Sequence, residues 1–145
     1  PIALIQATID DMAARGFGRI INITSSAVKA PIDVLGLSNG ARSGLTGFVA
    51  GVARSGIAAQ GVTINNILPG LFDTDRLRGM NANAMQKTGK SQEQVVSERQ
   101  KSIPVRRFGQ PHEFGAFCAF LCSDLAGYIT GQNMLIDGGA YSGTF

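Results

Sequence analysis

The chain has 145 residues and a formal charge of +3, from 13 basic and 10 acidic side chains. Hydrophobic residues make up 44%, which supports one buried core and excludes a disordered chain, and the length suits a single domain. The basic doublet Arg106-Arg107 stands alone and no apolar run nears the ~20 residues of a membrane helix, so neither a nucleic-acid nor a membrane partner is expected.

Apolar residues at 2, 5, 9, 12 and 13 predict a helix over 2–15, stopped by Gly16-Phe17-Gly18. Asp10 and Asp11 interrupt this segment, so it does not read as a signal peptide, and a cytoplasmic location is expected. Residues 19–24 form a short β-rich run, with Ser25-Ser26 where a strand would end. A long helix is predicted over 38–59, with Leu45, Phe48, Val49, Val52 and Ala53 on its apolar face and Gly40, Gly44, Gly47 and Gly51 among them. Each interior glycine costs about 1 kcal/mol relative to alanine. Such a helix needs tight packing, either inside one subunit or against a second one.

Gly61 ends this unit, and 62–68 (VTINNIL) reads as a second strand broken by Pro69-Gly70. Residues 75–103 are polar and uneven, with a helix expected only over 91–101, inside a mobile segment. Pro111-His112-Glu113 opens a helix over 112–123, and 133–139 (NMLIDGG) reads as a third strand and its turn. This order predicts an α/β fold with a parallel sheet whose short apolar strands are covered on both faces. Cys118 and Cys122, four apart, read as buried apolar thiols rather than a disulfide framework or metal ligands. His112 reads as a solvated first-turn residue, and Asn65 and Asn66 as partners for backbone groups.

Ligands on open parallel sheets sit beyond the carboxyl ends of the strands. Three clusters fall there: Ser25-Ser26, 69–74 (PGLFDT) and Asp137-Gly138-Gly139. Each alone is an everyday turn. Together with GRIINITSS (18–26), LTGF (45–48), GVTINNILPG (61–70), RRFGQPHEFGAFCAFLCSD (106–124) and YITGQNMLIDGG (128–139), they are specific. In these segments the sequence resembles the C-terminal half of a short-chain dehydrogenase/reductase, closest to 3-oxoacyl-(acyl carrier protein) reductases. The resemblance covers essentially all of the chain. It implies residues 1–145 are a partial Rossmann-type, doubly wound domain of about three strands, lacking the dinucleotide-binding half. A fragment of a longer gene product, or an oligomer pairing the open edge of the first strand, is the expectation that follows.

The resemblance places the family's catalytic serine at Ser25, where it would hydrogen-bond a substrate carbonyl. The family's tyrosine and lysine fall on Ser38 and Arg42, so both are replaced. A serine hydroxyl is a far weaker acid than a phenol, and Arg42 keeps a positive charge able to hold ribose hydroxyls but not to relay a proton. Tyr128 and Tyr141 lie near the C-terminus, and neither is an obvious substitute. On the nicotinamide side the resemblance keeps Pro69, Gly70, Leu71 and Thr74, whose family role is a hydrogen bond to the carboxamide. Residues 75–103 correspond to the family's substrate-covering loop, and helix 38–59 with the C-terminal region to its oligomer contacts.

The implied function is an NAD- or NADP-dependent oxidoreductase acting on a small keto or hydroxy compound in the full-length parent. The isolated chain is expected to be inactive and to bind neither dinucleotide tightly. The alternative is a non-catalytic relative that binds a nucleotide or a partner.

Overall fold

The computed structural model describes residues 1–144. Helix α1 (Ile2–Ala14) turns Ile5 into the core and ends at Arg15, whose N–H reaches back to the Asp11 carbonyl. Strand β1 (Gly18–Ile23) follows, then a 3-10 turn over Ser26–Val28 and another over Asp33–Leu35. Helix α2 (Gly36–Ala53) leads through a 3-10 turn (Ala58–Gln60) to strand β2 (Val62–Pro69). Helices α3 (Asp75–Thr88) and α4 (Gln92–Lys101) come next, then α5 (Pro111–Cys122), a 3-10 turn (Asp124–Ala126) and strand β3 (Asn133–Ile136).

The sheet is wholly parallel, in the order β1-β2-β3, with Gly18 opposite Val62 and Asn66 opposite Asn133. β2 is central, and its residues from Val62 to Leu68 are all buried. One face packs on α1 and α2, where Ile5, Val49, Ala53 and Ile64 form the core. The other packs on α5, with Ile67 against Leu121 and Ala126. This two-sided cover explains why the strands read as apolar runs rather than alternating ones. β1 pairs on one side only, and Ile23 at its end is 60% exposed.

Two expected boundaries shift, and one helix is new. α2 starts at Gly36 and ends at Ala53, short of residue 59, because the Ser55 hydroxyl and N–H both bond the Val52 carbonyl (2.7 and 3.0 Å) and close the last turn. The connection then needs the left-handed Gly61 (φ 78°), where an added Cβ would lie 2.2 Å from the Gly16 carbonyl oxygen. α3 occupies residues expected to be irregular. Thr74 caps its start by accepting from the Leu77 N–H, and the left-handed Gly89 ends it.

The glycines of α2 also differ from one expectation. An added Cβ at Gly40, Gly44, Gly47 or Gly51 would meet nothing within 4 Å, so these residues line an open outer face and are not packed inside this chain. The apolar set Leu45, Phe48, Val49, Val52 and Ala53 faces the core as expected. Cys118 is half-buried, but Cys122 is exposed, contrary to the reading of two buried thiols, because the end of α5 turns that position away from the sheet. Burial and the neighbouring Cys122 push the Cys118 thiol up from its ordinary range. Among the described residues no helix is long and apolar enough to cross a membrane, and no cluster of His, Cys, Asp and Glu could hold a metal ion.

Candidate functional site

The parallel register brings the ends of all three strands to one edge. There a cleft of about 660 Å³ opens, lined by Ser25, Ser26, Arg42, Pro69, Gly70, Leu71, Thr74 and Asp137 among others. The three clusters that follow the strands in sequence thus meet in one cavity. Its walls are largely apolar, from Ile23, Ile32, Leu35, Leu77, Met80, Ile103 and Phe114.

Each polar residue has a local reason for its place. Ser25 leaves β1 in extended conformation and caps the following 3-10 turn, its hydroxyl accepting from the Ala27 N–H at 3.1 Å. That oxygen keeps its own O–H to donate. Arg42 reaches from α2 to the end of β1, its Nε donating to the Thr24 carbonyl at 3.2 Å. Its Nη1 donates to the Ser38 hydroxyl one turn earlier. Ser38 does not line the cleft; its oxygen serves to steady the guanidinium. The Arg42 Nη2 has no hydrogen-bond partner among the described residues.

Thr74 is both a cleft residue and the cap of α3: its hydroxyl donates to the Phe72 carbonyl and accepts from the Leu77 N–H, both at 3.4 Å. These long bonds leave it adaptable. Gly70 is required by closeness, since an added Cβ would lie 2.7 Å from the Asp137 Cβ. Asp137 looks like a free acid in the sequence, but its two oxygens accept from the Gly139 and Tyr141 N–H groups at 2.9 and 2.8 Å. The cleft therefore holds two guanidinium groups, Arg42 and Arg76, against one carboxylate tied to its own turn.

Tyr141 departs from expectation. It lines the cleft, because the Asp137–Ala140 turn folds the chain back over the segment after β1, where the Lys29 ammonium sits 5.7 Å from the centre of its ring. Tyr128 is fully exposed and elsewhere. Sequence reasoning also passed over Lys29 and Arg76; the one signal for Arg76 was its place in the first turn after Thr74. His112 is exposed on the first turn of α5, as expected. Asn65 serves backbone groups, donating to the Ile129 carbonyl and accepting from the Gln132 N–H, whereas Asn66 donates to the Asn133 side chain.

By their chemistry these residues could hold the nicotinamide end of a dinucleotide, with Arg42 free to donate to hydroxyls, Thr74 able to bond an amide, and the Pro69–Leu71 turn offering an apolar surface. No glycine-rich strand-to-helix turn able to cradle phosphates occurs among the described residues.

Residues 1–141 match the family described as Enoyl-(Acyl carrier protein) reductase. The chain is 39% identical over 134 residues to an acetoacetyl-CoA reductase of Allochromatium vinosum, covering 91% of this chain and 49% of that protein. It is 34% identical to the 3-oxoacyl-[acyl-carrier-protein] reductase FabG of Vibrio cholerae, covering 95% of this chain and 52% of the relative. The chain spans about half the length of the curated relatives it matches. Its fold superposes on YwfH, an NADPH-dependent reductase involved in bacilysin biosynthesis, with a TM-score of 0.90 and 30% identity, over 98% of this chain and 54% of that one. It likewise superposes on L-sorbose reductase of Gluconobacter frateurii, solved with NADPH and L-sorbose, with a TM-score of 0.87 and 26% identity, over 98% and 54%. By its parallel sheet, its shared cleft and these matches, the chain belongs to the short-chain dehydrogenase/reductase family.

Proposed function

We propose that this chain supplies the substrate pocket and the nicotinamide end of an NADPH-dependent reductase of short 3-oxoacyl thioesters such as acetoacetyl-CoA. The observation that carries this reading is the apolar cleft at the carboxyl ends of three parallel strands, with hydroxyl and guanidinium donors among its lining residues. Ser25 donates its O–H to the substrate carbonyl. Arg42 and Thr74 bind the nicotinamide riboside, which supplies hydride when bound. The apolar walls take the acyl chain and exclude water, and Arg76 meets the anionic carrier. NADPH is favoured over NADH by the relatives of like fold that use it.

The test is NADPH oxidation at 340 nm by the purified natural gene product, with acetoacetyl-CoA as substrate. Saturable turnover supports the reading, and none overturns it. For the 145 residues alone we expect no turnover and no tight dinucleotide binding, since no glycine-rich strand-to-helix turn among the described residues cradles the phosphates. Homo-oligomers are proposed to form through the outer face of α2 and the C-terminal region.

The Ser38–Arg42 hydrogen bond favours a second reading, in which the family's usual acid position has become structural and the protein binds without reacting. Ser38→Tyr combined with Arg42→Lys separates the two. A protein that only binds gains reductase activity by about 100-fold or more over background, whereas one that already turns over gains far less.

A further inference from the structure

Adding hydride to a carbonyl carbon leaves an alkoxide that must be protonated, so a reductase site needs an acid at hand. The cleft offers few. The hydroxyls of Thr24, Ser25, Ser26, Thr74 and Ser102 are too weakly acidic, the guanidinium groups of Arg42 and Arg76 hold their protons too tightly, and Asp137 is an acceptor tied to two backbone N–H groups. The remaining proton donor among the described lining residues is the phenol of Tyr141, a stronger acid by type than an aliphatic hydroxyl.

We propose that Tyr141 is the proton donor of this site, in place of the side chain lost at position 38, with Lys29 as its supporting cation. This rests on the reductase reading above. Three features place the phenol. The Asp137 carboxylate accepts the Tyr141 N–H at 2.8 Å and fixes the start of the segment. The Lys29 ammonium lies 5.7 Å from the ring centre, within the range of a cation–π contact, and offsets charge as the proton leaves. Gly143 leaves room for the hydroxyl, since a Cβ there would lie 2.2 Å from it.

The step balances. The carbonyl carbon gains hydride from a reduced nicotinamide dinucleotide, which is oxidised. The carbonyl π pair moves to oxygen and takes the proton of Tyr141. The phenolate then recovers a proton from water. Among the described residues the charged groups lining this cleft are Arg42, Arg76 and Asp137, and Lys29 stands over the Tyr141 ring.

The experiment uses the natural gene product with acetoacetyl-CoA and NADPH. Tyr141→Phe is expected to lower kcat by about 100-fold or more with KM little changed, and Lys29→Met to lower it less. Tyr128→Phe, at a fully exposed position, serves as the control and leaves kcat unchanged. A second readout does not depend on turnover. In protein labelled with 13C-tyrosine, the signal absent from Tyr141→Phe is expected to shift when acetoacetyl-CoA is added to the wild type. Wild-type kcat in Tyr141→Phe, or a Tyr141 signal blind to the ligand, overturns the proposal while leaving the reductase reading intact. A wild type that oxidises no NADPH overturns both.

Discussion

Gly70 and Asp137 show how closely single residues control the cleft. They leave neighbouring strands at one level, and an added Cβ at Gly70 would lie 2.7 Å from the Asp137 Cβ and 2.8 Å from its Cα. Neither atom belongs to a flexible tip, so backbone must give way. Gly70→Ala is expected to cost about 1–3 kcal/mol in urea denaturation, as overpacking does. It should also lower reductase activity, because the displaced Asp137 turn carries Tyr141. Leu121 makes the opposite case. It is fully buried against Ile67 and Ala126 under the sheet and does not line the cleft. Leu121→Ala leaves a void and should cost about 2–5 kcal/mol by the same measurement, with the activity of the folded fraction unchanged.

Among the elements, α5 owes its start to a charge network. The Glu113 carboxylate accepts from both terminal nitrogens of Arg107 at 2.8 and 2.7 Å, and from the Gln110 N–H at 2.7 Å. The Arg107 guanidinium first, and the Gln110 N–H next, hold Glu113 down to about 2. A carboxylate lowered on folding stabilises the fold above its unfolded value, about 4.3, and loses that contribution as pH falls through the folded one. Glu113→Gln is therefore expected to flatten the fall in melting temperature between these two values, as followed by circular dichroism. This start was legible, because Pro111 and Glu113 are sequence signals for a helix N-terminus. α3 was not read, although Thr74 and Gly89 stood at its two ends. Its middle is polar, since it packs mainly on α4 and contributes Leu77 and little else to the core. The cleft divides the same way. Residues directly beyond a strand could be placed by strand direction alone, whereas Tyr141 enters through a reversal of the chain after β3 that local pattern does not encode.

At the scale of the whole molecule, the outer face of α2 is the surface that most needs an explanation. Gly40, Gly44, Gly47 and Gly51 present bare backbone there, and Leu37 at its start is 95% exposed. Leucine is the better helix former, so Gly44→Leu should leave the helical circular dichroism intact. If copies of the protein meet along this face, the same substitution shifts the sedimentation coefficient of the natural gene product toward the monomer, which is the expected outcome. The sheet beneath carries its own alignment mark. Asn22, Asn66 and Asn133 stand opposite one another across the three strands, all turned toward the α1–α2 side of a mostly aliphatic layer. Counting three and four residues onward from each arrives at Ser25 and Ser26, Pro69 and Gly70, Ile136 and Asp137. The amide row works like the notch on a key: a strand that slid by one place would strand an amide among methyl groups, and the floor of the pocket would no longer be level.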